Sequence, residues 1–284
     1  MPKGRGACGW RVSPRAPICP QVAASEPAPP IDILAVLRLA VIAWWRDFAP
    51  ILGLGALLLT LPELVRRALG PTLTQGATLI TTLQGVCAML FLSAVIYGVL
   101  HMFARRPLSP RAFISSGLAA AQPGLVVALI LGAGAVSVRI VFLIANSLDP
   151  MAAGFVDGMA TAAALWALAT LLPAVPAAVA ERLGPIAALQ RAAVLTRGNR
   201  IRLLGLVAVV GMTIVPILSV VGLLVFNRAA SPADVSRIDA ALTATDPGLW
   251  IGLLTDLLLA GVLACVPAAV YAALVARATP RAQP

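Results

Sequence analysis

The sequence predicts an all-α, polytopic membrane protein with about six transmembrane helices and three cytoplasmic interfacial amphipathic helices, both termini lying in the cytoplasm. Three observations predict it. Of 284 residues, 60% are hydrophobic and only 11% charged, with a mean hydropathy of +0.97. Soluble domains carry about 25% charged residues, so this chain has too few charges to cover a surface facing water, and most of it faces lipid. Six stretches reach the roughly 20 apolar residues that a helix needs to cross the hydrocarbon. Sorted by those stretches with the N-terminus inside, sixteen Lys and Arg fall on the inner side and four on the outer side, the bias of the positive-inside rule. The net charge of +10 therefore reports orientation first and attraction to an anionic inner leaflet second. No nucleic-acid partner is expected.

Residues 1–30 are basic and proline-rich, with no apolar run that could serve as a signal-peptide core. They read as a disordered tail, and 278–284 as a second, short one. Between them, 31–277 form a single six-span membrane domain. In 31–47 the charges Asp32, Arg38, Arg46 and Asp47 fall within about half a helical wheel, with Trp44 and Trp45 near the membrane boundary; this is the first interfacial helix. The first span, 48–66, opens after Asp47, and Pro62 and Glu63 shorten its apolar run. The second span is 77–103. Ser109-Pro110 caps a second interfacial helix running to Gln122, ahead of the third span, 124–146. Asp149-Pro150 starts the helix that leads to the fourth span, 158–179. Gly184-Pro185 opens the third interfacial helix, ending near Gly198, before the fifth span, 201–226. Ser231-Pro232-Ala233-Asp234 starts a short amphipathic helix outside, and Asp246-Pro247 opens the sixth span, 248–275. The chain thus divides into three units, each an interfacial helix followed by a transmembrane hairpin.

Around the end of the fourth span four runs stand out: Leu172-Pro173-Ala174-Val175-Pro176, Glu181-Arg182-Leu183-Gly184-Pro185, Ala188-Leu189-Gln190-Arg191 and Leu195-Thr196-Arg197-Gly198-Asn199-Arg200. They resemble the signature of the bacterial glycerophosphoryl diester phosphodiesterase membrane-domain family and its stand-alone six-span relatives. The opening 31–62, with Trp44-Trp45-Arg46-Asp47-Phe48 and a span ending in proline, is similar to the same family. The resemblance covers about a third of the chain. It implies a multi-pass protein of the bacterial cytoplasmic membrane. Ala192 stands where the family has Ser, and Gln190 where it has Arg, so no role that needs that hydroxyl carries over. Fused members of the family have a separate soluble catalytic domain that uses two histidines and acidic metal ligands. This chain has a single histidine, His101, so the phosphodiesterase chemistry is not expected of it.

Charges inside a bilayer cost about 2.5 to 3.5 kcal/mol each at a helix centre, which singles out Arg139 and Asp256. Each lies about seven residues, roughly 10 Å, below the outer boundary, and Gln84 reaches a similar depth. An ion pair joining spans three and six, with Gln84 nearby, is the expected arrangement, as a structural clamp or as a polar substrate or proton site. Glu181 has three available roles: an ion pair with Arg197 or Arg200, a cap for the following helix, or a guide for a lipid phosphate. The ion pair is the expected one, because a carboxylate repels phosphate. Arg38, Arg46, Arg191, Arg197 and Arg200 are the candidates for lipid headgroups. Pro62, Pro173, Pro176, Pro216 and Pro267 interrupt spans, where neighbouring helices satisfy the freed carbonyls. The Gly154/Gly158 and Ala128/Gly132 pairs have the spacing for close helix packing. His101, beside Arg105 and Arg106, reads as an interfacial anchor.

No catalytic residue, cofactor or metal is expected: the chain has no nucleophile with a base, no paired carboxylates, no phosphate loop and no Cys or His at metal-ligand spacing. Cys87 and Cys265 differ by roughly 10 Å in depth, too far for a disulfide. The sequence therefore predicts a non-enzymatic inner-membrane protein that engages anionic phospholipid, or an envelope protein partner, through basic interfacial helices. The alternative is a small-solute or lipid transporter with a polar site around Arg139, Asp256 and Gln84.

Overall fold

A computed structural model of the chain describes the backbone of residues 31–69, 76–104, 108–148, 150–225 and 246–278. The tail 1–30 and the short helix expected after Ser231 lie outside the described residues. Within them all regular structure is helical: α1 (Ile33–Arg46), α2 (Phe48–Gly55), a π-helical turn (Ala56–Thr60), α3 (Leu61–Leu69), α4 (Gly76–Phe103), α5 (Pro110–Leu148), α6 (Pro150–Leu171), α7 (Ala174–Glu181), α8 (Pro185–Leu195), α9 (Arg200–Val225) and α10 (Pro247–Ala278). Six helices are long and apolar enough to cross a membrane. The protein is thus an all-α, polytopic membrane protein.

Local chemistry sets the breaks. The Asp32 carboxylate accepts from the backbone N–H of Leu34 and Ala35, capping α1. At Asp47 the backbone leaves helical geometry (φ −102°, ψ 28°), and the chain turns into α2. Pro62 brings no N–H to the helix, and just ahead of it the backbone widens into the π turn, where the Leu61 N–H reaches back five residues to the Ala56 carbonyl. Pro173 likewise ends α6 two residues after Leu171, and α7 restarts at Ala174. Gly184, in extended conformation before Pro185 at N1, starts α8.

Pro123, Pro216 and Pro267 behave differently, since the helix passes through each of them unbroken. At Pro123 this changes the expected layout. The segment expected as a second interfacial helix forms the first turns of α5, in one piece with the third span. Its inward face packs on the bundle: Phe113 and Ala121 are buried, and Gly117 and Gly124 bring α5 against α4 and α7. At 39 residues α5 is roughly 58 Å long, about twice the hydrocarbon thickness.

α10 is the central element. It packs against α1, α2, α4, α7, α8 and α9, and half of its most apolar stretch is buried, against 6% for α9. Close approach comes from small residues. A Cβ on Gly98 would fall within the Phe113 ring, one on Gly124 would lie 2.8 Å from Ser93 Oγ, and one on Gly261 would lie 2.9 Å from Trp44 Nε1. The pairs expected to pack do so only in part. Ala128 is buried, but a Cβ on Gly132, Gly154 or Gly158 would meet nothing within 4 Å. Cys87 and Cys265 are free thiols.

Candidate functional site

The polar residues collect at the two ends of the bundle. One end is built on the breaks around α7 and α8. Glu181 is the last residue of α7, and Arg182 after it takes the left-handed conformation (φ 51°) that releases the chain toward Gly184. The Glu181 carboxylate oxygen Oε1 accepts from Arg191 Nε at 3.1 Å and from Tyr271 Oη at 2.8 Å. Three elements, α7, α8 and α10, thus meet on one oxygen. The ion pair expected for Glu181 forms, but with Arg191 in place of Arg197 or Arg200. Arg191 lies ten residues on, across the Gly184-Pro185 turn, and α8 returns it to the end of α7. Tyr271 was not anticipated, because ninety positions separate it from Glu181 and nothing local marks its partner.

The turn after α8 forms a second node. Thr196 is fully buried, and its hydroxyl donates to the Ala192 carbonyl at 2.9 Å and approaches the Thr170 carbonyl at 3.3 Å. It therefore closes α8 and touches the last turn of α6, where helix carbonyls lack N–H partners from the next turn. Gly198 turns with φ 83°. Asn199 Oδ1 accepts from the Ile31 N–H at 3.2 Å, and Arg202 Nη1 donates to the Ile31 carbonyl at 3.2 Å. These contacts clamp the start of α1 to the start of α9. Pro173 and Pro176 are buried, while Gly184 and Arg197 are exposed and Pro185 is half-buried. The motif residues of 172–200 thus divide into a packed inner set and an outward set.

Of the headgroup candidates, Arg38, Arg46 and Arg197 are exposed, Arg191 is held by Glu181, and the half-buried Arg200 carries a buried Nε without a hydrogen-bond partner among the described residues. The outward face of α1 is mostly apolar: Leu34, Ile42 and Trp45 are 76%, 49% and 72% exposed, on the same side as Arg38 and Arg46. The His101 ring packs against Tyr97 with centroids 4.5 Å apart.

At the opposite end a cavity of about 460 Å³ opens between the π turn, α3, α4, α9 and α10. Leu58, Leu59, Leu218, Val221, Leu249, Leu253 and Leu257 give it apolar walls, and Thr60, Glu63, Arg67, Gln84, Thr255 and Asp256 its polar groups. Glu63 is the hub. One carboxylate oxygen accepts from Arg66 Nη2 at 2.5 Å and Arg67 Nε at 2.7 Å; the other accepts from Arg66 Nε at 2.8 Å and Gln84 Nε2 at 2.6 Å. Four donors on one carboxylate fill its acceptor capacity, so Glu63 acts by aiming Arg67 and Gln84. The i, i+3 and i, i+4 spacing of Arg66 and Arg67 makes this local to α3. The sequence missed this hub. In the sequence Glu63 only shortens the apolar run of the first span, and the π turn just before it, which alters the phase of α3, has no hydropathy signal.

Of the expected trio, Gln84 and Asp256 both line this cavity. The Arg139 side chain lies outside the described residues, and with it the expected pair to Asp256. Among the described residues no three His, Cys, Asp or Glu side chains gather as a metal site. Comparison of the chain with protein-family models, with curated proteins and with solved structures finds no match.

Proposed function

We propose that the protein is a non-enzymatic, multi-pass component of the bacterial cytoplasmic membrane whose Glu181 end faces the cytoplasm and engages anionic phospholipid. The outward face of α1 carries this reading. Exposed Leu34, Ile42 and Trp45 suit the acyl boundary, and exposed Arg38 and Arg46 beside them suit phosphate headgroups. Exposed Arg197 and half-buried Arg200 extend the basic surface. The orientation rests on the distribution of Lys and Arg along the sequence. The kinship with stand-alone relatives of the glycerophosphoryl diester phosphodiesterase membrane domain rests on the residues quoted from 31–62 and 172–200. The absence of enzymatic chemistry is inferred from a sequence with one histidine and no paired nucleophile and base.

Native mass spectrometry of protein released from membranes with its lipids tests the reading. Phosphatidylglycerol adducts are expected on the parent chain and are expected to fall about a hundredfold in the Arg38→Gln/Arg46→Gln/Arg197→Gln variant, at about 1 kcal/mol for each of the three lost basic contacts. Equal adducts on both would overturn it.

The cavity favours a second reading, in which the bundle binds a solute between α3, α4, α9 and α10. Its volume, about 460 Å³, falls in the roughly 300–1,000 Å³ range of small-molecule sites.

A further inference from the structure

We propose that this cavity is a binding site for an uncharged, hydroxyl-headed amphiphile such as a glycerol monoester, with its diol at Thr60 and Gln84 and its hydrocarbon chain along the leucine wall. The inference rests on the reading of the cavity as a solute site and names the class of solute.

The hydrogen-bonding groups left over on the wall select the head. The charged ones are engaged: Glu63 accepts four hydrogen bonds, one of them from Arg67, and Asp256 makes an interaction of its own. An ionic head would enter this low-dielectric site without a free counter-charge and at the full cost of its desolvation. Two neutral groups differ. Ser115, Thr170, Thr213, Ser219 and Thr255 each donate their hydroxyl to the carbonyl four residues back, at 2.8 to 2.9 Å, the local bond that hydroxyls make inside a helix. For Thr60, in the π turn, that carbonyl belongs to Ala56, which receives the Leu61 N–H across the widened turn. The Thr60 hydroxyl makes no hydrogen bond among the described residues and keeps both a donor and an acceptor. Gln84 is held at one end only. Its Nε2 donates to Glu63 at 2.6 Å, which fixes the amide and leaves Oε1 an acceptor without a donor among the described residues. Both residues line the cavity, and Thr60 lies one turn before the Glu63 that holds Gln84. A vicinal diol donates to Gln84 Oε1 and exchanges a hydrogen bond with Thr60 without bringing in a charge.

The walls select the chain. The cavity follows α10 from Gly248 to Ala260, a length of roughly 18 Å. Leu249, Leu253 and Leu257 from α10, with Leu58 and Leu59, offer it a surface suited to methylene groups. α9 packs on α1, α6 and α10, and the π turn packs on α2, α3, α4 and α10, so α10 is the floor that joins two walls. Leu218 on the α9 wall is exposed, and a chain enters from the bilayer between α9 and the π turn. Gly222 and Gly252 line the lumen, and a Cβ on either meets nothing within 4 Å.

Displacement of a fluorescent glycerol monoester from the full chain in phosphatidylcholine nanodiscs tests the proposal. The unlabelled monoester is expected to compete about tenfold more strongly than its di-O-methyl ether, the scale of one to two hydrogen bonds. It is expected to exceed phosphocholine and phosphoglycerol lysolipids of equal chain length by at least as much. Thr60→Val, which exchanges the hydroxyl for a methyl group, is expected to weaken monoester binding several-fold while ether binding and the unfolding temperature hold, and Thr60→Ser is expected to restore it. Gly252→Phe, which fills the lumen, is expected to abolish probe binding; Thr60→Val carries the test if that variant does not fold. Binding lost in Gly252→Phe but equal for monoester, ether and charged heads would overturn the hydroxyl head and leave the cavity reading standing, as would Thr60→Val binding like the parent. Binding unchanged in Gly252→Phe would overturn both.

Discussion

At the Glu181 end Ala174, Ala177, Ala178, Ala264, Ala268 and Ala269 are almost wholly buried, and helices meet through Gly98, Gly117, Gly124 and Gly261. At the Glu63 end Leu57, Leu61, Val215, Val220, Trp250 and Leu254 stand 48% to 63% exposed, and the space among the helices is the cavity. The composition of the two ends explains the contrast. Lipid tails are as apolar as leucine, so burying leucine between helices gains little in a membrane, whereas small residues let backbones approach and gain dispersion contacts. The alanine- and glycine-rich end closes tightly. The leucine-rich end turns its large side chains outward and keeps a lumen.

The largest test of this contrast exchanges matched glycines. Gly98→Ala places a methyl group within the Phe113 ring and is expected to cost about 1 to 3 kcal/mol or more, as overpacking does. Gly211→Ala, where a Cβ meets nothing within 4 Å, is expected to be neutral or to stabilise by about 0.5 to 1 kcal/mol. Unfolding in detergent micelles measures both, and equal effects would break the comparison.

A middle-sized effect is expected at the node joining α7, α8 and α10. Glu181→Gln weakens the contacts with Arg191 and Tyr271. A hydrogen bond to a charged group contributes about 1.5 to 3 kcal/mol, and the partial exposure of both ion-pair partners screens the Coulombic share. A loss of about 1 kcal/mol in the same unfolding assay is expected, with faster proteolysis after Arg182. Unchanged stability and cleavage would assign the tight end to packing alone.

The smallest concerns Asp47, at the junction of α1 and α2. Burial pushes its carboxyl above the usual value, and the neighbouring Arg46 offsets this in part. A raised carboxyl favours the fold at acid pH, and that contribution is lost as pH rises through its folded value. Asp47→Asn is therefore expected to stabilise slightly at neutral pH and to flatten the pH dependence on the upper side of the ordinary carboxylate range. An unaltered profile would sink this assignment.

Five of the six spans were legible because length and hydropathy determine them, and the starts at Gly184-Pro185 and Asp246-Pro247 because helix-starting turns and N1 prolines act locally; the third was expected at 124–146, whereas the apolar stretch among the described residues runs over Pro110–Gly134. The helix boundary expected after Gln122 did not form because α4 and α7 pack around Gly117 and Gly124 on either side of Pro123, a tertiary effect. The Gly154/Gly158 spacing misled because a small residue packs only where a partner helix comes close, and among the described residues nothing lies within 4 Å of a Cβ built there. Arg191 with Tyr271 on Glu181, and Gln84 on Glu63, depend on the phase of two helices about their axes. One such phase is reset by the π turn, which leaves no mark in a hydropathy profile.

The centrality of α10 bears on the order of assembly. It is the sixth span to emerge during synthesis, yet α1, α2, α4, α7, α8 and α9 all rest on it. Chains generally begin folding from the N-terminal side while they are made; here α4, α5, α6 and α7 pack on one another without α10, whereas α1 and α2 meet their main partner only when the sixth span is in place. The seat of the N-terminal helix α1 is therefore expected to be completed last, although α1 is the first of the described helices to be made.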